Sequence, residues 1–290
     1  MSVQNLNQYL TQGAIEGFAQ LMAPASAFSY VVKPGVAAVG DVVRVPFSNN
    51  TSASLDFAYA TGYATDGNLI SGKAITLNVL KYQKISLTDS DLALLNQESL
   101  VRIGRQAGMR LAADILSASI ASVVTEANFG NSGSYGAASL SASVGLASVD
   151  EAANTYNWPV GERSLIANVA AWSALMQNTV VTNASSFGSA DPIQNGRLST
   201  VIGFTPYLVT FPIRTAFACN PNAVLFANGY HAPQDSGTAY TAVQQIVDEK
   251  SNLTIGFRQY YDAAKATNMR VFDCLAGSAK GADNAVWSLK

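Results

Sequence analysis

Apolar residues first recur at helical spacing. Leu6, Leu10, Ala14, Phe18 and Leu21 share one face of residues 4–22, which predicts an amphipathic helix ended by Pro24. From Asp41 the period changes to two. Val43, Val45 and Phe47 alternate with Val42, Arg44 and Pro46, the pattern of an exposed strand with proline at its edge. Ala74 to Leu87 alternates again over about 14 residues, where strands typically have roughly five or six. Between these runs, Ser48 to Gly72 is small, polar and aromatic, with Asp56 and Asp66 its only acids and turn signals at Asp66-Gly67 and Ser71-Gly72. Two long strands with a polar tip predict a β-ribbon over 41–87. Such a ribbon has too little core to stand alone in water, so a neighbouring subunit is expected beneath it.

The next stretch predicts one long helix. From Asn96 to Ala127 no proline interrupts good helix formers. Asn96 is suited to the N-cap, and Glu98 to the positive end of the helix dipole. Roughly 30 residues at 1.5 Å each give a rod of about 45 Å, against a mean helix of about 11–12 residues. Leu100, Ala107, Leu111, Ile115 and Ala118 fall on one face, and Arg102, Arg105, Gln106, Arg110 and Asp114 on another. A Gly/Ser-rich stretch follows over 128–143. Ser148 then predicts a helix start, with Glu151 completing a capping box. Arg163–Val169 reads as a short buried strand followed by a helix, Asn195-Gly196 as a hairpin turn, and Asn222–Asn228 as a strand. Two more strands, LTIGFRQYYD and MRVFDCLAG, flank a turn near Ala263–Thr267. The succession is that of an α+β protein.

Composition narrows the function. Only 12% of the 290 residues are charged while 49% are hydrophobic, about half the usual charge. Much of such a surface is expected to be covered by neighbours. A net charge of −2 gives no global field for nucleic acid. Cys219 and Cys274 show no CxxC spacing and read as buried free thiols. No secretory signal or long apolar run is visible, so a soluble protein made in a cytoplasm is expected. His231, the single histidine, lies in GYHAPQD without a recognised catalytic pairing and reads as a surface-loop residue. Asp89 and Asp91 lack the glycine of a calcium loop and read as helix-start acids. No nucleophile elbow, phosphate loop or dinucleotide fingerprint occurs. No catalytic, cofactor or metal residue is assigned.

Three segments carry a resemblance. GDVVRVPF (Gly40–Phe47) opens the ribbon that Lys81–Leu87 closes, directly before the long helix. ERSLIANVAAWSALMQ (Glu162–Gln177) is a strand and helix, and NGRLSTVIGFTPYLV (Asn195–Val209) a hairpin and strand. In this order they resemble the major capsid proteins of tailed bacteriophages, the Hong Kong 97 coat fold also seen in encapsulin nanocompartments. The resemblance implies an N-terminal arm (1–40), an extended loop or β-ribbon (41–87), a peripheral domain (88–144 and 236–290) with a spine helix at 96–127, and an axial domain (145–235). It implies a structural protein, not an enzyme, that forms pentamers and hexamers of an icosahedral shell around double-stranded DNA. Such a protein is expected in the virion and is assembled in the host cytoplasm. Because the ribbon begins near residue 41, scaffolding is expected from a separate protein; a portal, a decoration protein and non-specifically held DNA are further partners, and a membrane is not. Inter-subunit contacts are assigned to Asp56, Tyr59, Tyr63, Asp66 and Lys73 on the ribbon and to Arg102, Arg105 and Arg110 on the spine. Those arginines suit DNA phosphates and a neighbouring subunit equally. Trp287, in a tail expected to lack core of its own, is assigned to a contact as well. Lys73 has no partner motif for a crosslink. Two alternatives stay open: an encapsulin-like compartment, and a β-rich surface binding or adhesive protein.

Overall fold

The computed structural model describes residues 3–33, 35–48, 59, 70–129, 132–133, 137–182, 198, 200–210, 216–232, 240–265 and 267–289. Helix α1 (Val3–Met22) stops where Pro24 opens a 3-10 turn. Leu6, Leu10, Ala14 and Phe18 are all buried on the predicted face. Strands β1 (Ser29–Val32) and β2 (Val36–Ala37) follow. Residues 1–40, expected as an arm, supply Leu10, Phe18 and Phe28 to the main core instead of reaching away from it.

Within residues 41–87 the described chain forms a two-stranded sheet. Strand β3 (Val42–Ser48) pairs antiparallel with β4 (Ile70–Thr76), placing Val45 opposite Lys73. The run expected as one strand over Ala74–Leu87 breaks at Leu77-Asn78. Beyond the break, β5 (Val79–Leu87) leaves the ribbon and joins a large sheet. Leu77 is the cause: it is fully buried with Ile75, Leu225 and Leu275, which anchors the chain between the two strands.

Helix α2 (Asp89–Leu94) begins with a capping box between Thr88 and Asp91, and the hydrogen bonds from Thr88 hold the Asp91 carboxyl below its usual range. Helix α3 (Gln97–Ile115) is capped as expected, Asn96 Oδ1 accepting from Ser99 N–H at 2.8 Å. The rod continues through a π-helical turn (Leu116–Ile120) into α4 (Ala121–Val123) and stops at Val124, short of Ala127. The short α5 (Glu126–Phe129) is separate. A π turn holds more residues per turn than an α turn, so the buried face advances. Ser119 and Ile120 are buried, whereas Ala118, expected on that face, is half-buried. The Ser119 carbonyl accepts from the hydroxyls of Ser122 at 2.6 Å and Ser278 at 2.7 Å, tying the turn to the sheet.

The packing of α1 on α3 rests on glycine. A Cβ at Gly13 or Gly17 would lie 2.1 or 2.2 Å from the carbonyl oxygens of Val101 and Arg105. One at Gly104 or Gly108 would lie 2.2 or 2.0 Å from those of Leu10 and Ala14. The two helices run in the same direction, each offering a G-x-x-x-G stripe to the other's bare backbone. Approach this close admits Cα–H···O contacts and excludes side chains from the seam.

The chain continues with β6 (Ser132–Gly133), α6 (Ser143–Thr155), β7 (Arg163–Ala167), α7 (Val169–Gln177), α8 (Thr179–Thr182), β8 (Phe204–Leu208) and β9 (Ala216–Cys219). Helix α6 starts five residues before the predicted cap. Ser148 lies inside it and donates back to the Gly145 carbonyl, so no capping box forms with Glu151. The Asn195-Gly196 signal lies outside the described residues. After it, Val201 and Phe204 close a tight turn on Ile202 and Gly203, at φ 47° and 75°. Then come β10 (Val224–His231), β11 (Ala242–Asp248), β12 (Leu253–Asp262), β13 (Thr267–Lys280) and β14 (Val286–Leu289).

Two sheets organise these strands. In the larger, β13 is the axis. Strands β12 and β10 pair in succession with its first and second halves, and β5 pairs along the opposite edge. Strand β11 extends the sheet beyond β12, and β1 and β2 lie parallel to β10. Helices α1 and α3 cover one face, burying Leu10, Phe18, Leu111, Phe226, Phe257 and Phe272 in the main core. The smaller sheet has the order β6-β14-β9-β7-β8 and a core of its own around Trp158, Leu165, Leu175 and Phe204. Strand β10 therefore belongs with the large sheet and β14 with the small one. The expected limits at 145–235 and 236–290 cut across both.

Candidate functional site

The ribbon is the only two-stranded unit among the described sheets that stands outside the two larger ones. Its base is fixed: Val45 and Ile75 are buried against Leu225, Ala227 and Leu275 of β10 and β13. Lys73 is half-buried on β4, and Tyr59 is exposed. Asp56, Tyr63 and Asp66 lie outside the described residues. Arg102, Arg105 and Arg110 are exposed along α3, as the spacing predicted, and Arg105 donates to Gln20 of α1.

Trp287 is placed differently. It sits on β14 opposite Ala218, half-buried, with its ring 6.2 Å from that of Tyr156. The tail has a core after all, because the last strand enters the small sheet. Arg163 is the charge that closes that core. Buried at the start of β7, it donates to Asp150, Asn154 and the Trp158 carbonyl, so its charge is shared over three acceptors. Trp158 in turn donates to the Asn284 carbonyl, joining this cluster to the end of the chain.

The face of the large sheet away from α1 and α3 holds an open cleft of about 360 Å³. Leu80, Tyr82 and Lys84 of β5, Arg258 and Tyr260 of β12, and Asp273 of β13 form much of its wall. These side chains share a face because their strands are in register: Tyr82 is opposite Asp273, and Lys84 and Arg258 flank Val271. Arg258 pairs with Asp273, donates to the His231 carbonyl at 2.6 Å and lies 5.7 Å from the Tyr240 ring centre. Lys84 lies 5.9 Å from the Tyr260 ring centre. Gly256 makes room for the ion pair, since a Cβ there would stand 2.0 Å from Asp273 Oδ1. His231, expected on a surface loop, ends β10 and lines this cleft. Its Nδ1, Arg258 Nε and Asp273 Oδ1 are buried without a hydrogen-bond partner among the described residues.

Burial raises the Asp273 pKa, opposed by the charges of Arg258 and His231 and by the hydrogen bond from Arg258. The direction fixes a pH effect. A carboxyl whose folded pKa lies above its unfolded value favours the fold when protonated. Its contribution is complete below the unfolded value and is lost as pH rises through the raised one. Denaturant unfolding of wild type and Asp273→Asn between pH 3 and 7 should show the wild-type advantage shrinking as pH rises. An advantage that grows with pH would mean that Arg258 outweighs burial.

The two cysteines are buried and free, and burial raises both thiol pKa values. Among the described residues no group of three or more His, Cys, Asp or Glu is placed to hold a metal, and no helix is long and apolar enough to cross a membrane.

No protein-family model matches the chain, and no curated protein sequence does. Solved structures do. Alignment with the capsid of cyanophage P-SCSP1u covers 91% of this chain and 86% of that one, at 16% identity and a TM-score of 0.54. This is a phage capsid fold. A virus-like particle from Pyrococcus furiosus aligns over 98% of both chains at 12% identity, with a TM-score of 0.55. A structure from Mycobacterium phage Che8 aligns over 87% and 85%, at 18% identity and a TM-score of 0.53. The likeness thus spans most of this chain and most of each of those chains.

Proposed function

We propose that the protein is the major capsid protein of a tailed phage, a structural subunit that closes with its own copies into an icosahedral shell around double-stranded DNA. The observation that carries this reading is the two-way coverage of capsid structures, 91% and 86% for the cyanophage capsid. The rod from α3 through α4 acts as the spine. The small sheet with α6 and α7 is the axial unit packing in pentamers and hexamers, and the ribbon lies across the adjacent subunit. Arg102, Arg105 and Arg110 face packaged DNA or a neighbour, contacting phosphate without reading bases in the first case. Scaffolding and the portal are separate proteins. A thin subunit with different donor and acceptor surfaces makes heterologous contacts, which give a shell when they close and a tube when they do not.

Light scattering and negative-stain microscopy of the purified protein test the proposal. Uniform megadalton shells are the expected result, formed alone or on adding a scaffolding protein. Their nucleic-acid absorbance separates a DNA container from an encapsulin-like compartment loaded with protein. A 30.4 kDa monomer that stays monomeric under both conditions would overturn it.

A further inference from the structure

We propose that Arg270 and the amino-terminal turn of helix α1 form a receiving site for a phosphate group. Arg270 stands two residues before Phe272 on β13, on the face of the large sheet that the helices cover. It is among the largest side chains that the fold buries completely, at 1% exposure. Its Nε donates to Asn7 Oδ1 at 3.0 Å, and Asn7 Nδ2 donates in turn to Gln259 Oε1 at 2.6 Å. Its Nη1 is buried without a hydrogen-bond partner among the described residues. Burial pulls the guanidinium pKa down, and no described carboxylate opposes it. Charges in protein interiors are ordinarily paired, because desolvating an unpaired one is costly. The described neighbours of Arg270 supply no such pair. Across the sheet they are Gln259 and Ile85, and along the same face of β13 they are Asn268 and Phe272. On the helix side, no charged side chain precedes Glu16 in the sequence.

The helix end supplies the other half of the site. Asn7 is the fifth residue of α1, and helical side chains lean toward the amino end. A guanidinium that meets Asn7 Oδ1 therefore lies against the first turn. That turn directs backbone N–H groups and the positive end of a 20-residue dipole to the same place. The first turn of α1 holds no acid to balance it, whereas the parallel α3 has its Asn96 cap and Glu98. Helix N–H groups beside a guanidinium are the donors that phosphate takes, since its charge is spread over several acceptor oxygens. The group can belong to a free ion or to a DNA backbone, and the chemistry at Arg270 is the same. The site stands whether or not the chain forms shells.

Thermal unfolding of the full chain in phosphate and in chloride, at equal ionic strength, tests the site. The wild-type midpoint should rise by about 2 °C or more in phosphate. Two variants separate binding from a general salt effect. Arg270→Gln removes the guanidinium and should lose the rise. Asn7→Asp sets a carboxylate beside Arg270, and Gln259 can answer by turning its amide to donate. It should raise the midpoint in chloride and leave little further response to phosphate. That result decides the matter even if Arg270→Gln does not fold. Titration calorimetry should show saturable phosphate binding to wild type that Asn7→Asp removes. A short DNA duplex in place of phosphate identifies the source. Stabilisation that Asn7→Asp abolishes assigns a backbone phosphate, and no stabilisation assigns the free ion. An equal response to phosphate in wild type and Asn7→Asp would overturn the site. So would an Asn7→Asp chain less stable than wild type in chloride, since Arg270 would then need no counter-charge. Neither result bears on shell formation.

Discussion

Gly108→Ala is expected to destabilise the protein by about 2 kcal/mol or more, although alanine is the better helix former. In an exposed helix the exchange gains up to roughly 1 kcal/mol. At Gly108 the new methyl would stand 2.0 Å from the Ala14 carbonyl oxygen, well inside any tolerated contact. The neighbour is backbone and has no rotamer to change. Relief requires α1 and α3 to separate along the seam, and overpacking of this kind costs about 1–3 kcal/mol, occasionally more. Gly13, Gly17 and Gly104 predict the same sign for the same reason. Urea unfolding of the four alanine variants is the measurement. Any of them more stable than wild type would show that the helices do not meet along glycine.

Removing the far end of the ribbon is expected to abolish shells and spare the fold. The cut is residues 51–68, closed by a short Gly/Ser turn, which leaves β3 and β4 with Ile70–Thr76 entire. The base stays anchored by Val45, Ile75 and Leu77. The thermal midpoint should move little, because the base of the ribbon keeps its buried anchors. Particle yield should fall by roughly a hundredfold or more, since losing about 3 kcal/mol per contact is about two decades in association. Particles of normal yield and size would refute a ribbon that reaches between subunits.

Much of the secondary structure was legible because it follows from local chemistry. The buried face of α1, the Asn96 cap, the exposed arginines of α3 and the fully buried β7 all come from periodicity and capping. What was missed depends on residues distant in sequence. The break at Leu77-Asn78 is set by Leu225 and Leu275. The role of Gly104, and Gly108 as its partner, appears only once α1 is laid on α3. In the sequence, G-R-Q-A-G gives no local sign that its glycines face another helix. The cleft was invisible because Tyr82, Arg258 and Asp273 are brought together by strand register alone. The burial of Trp287 depends likewise on β14 crossing to the small sheet, for which the tail NAVWSLK gives no local signal.

The parallel pairing of β1 with β10 sets a timetable for synthesis. Ser29–Val32 lie beside Val224–Ala227, and β13 follows later still. At 5–20 residues per second the ribosome needs on the order of 10–40 s to bridge the interval. Over that time Phe18 and Phe28 have left the exit tunnel without the strands that will cover them. Until then the N-terminal segment lacks the strands that complete its burial. A chain truncated before Val224 cannot complete its large sheet.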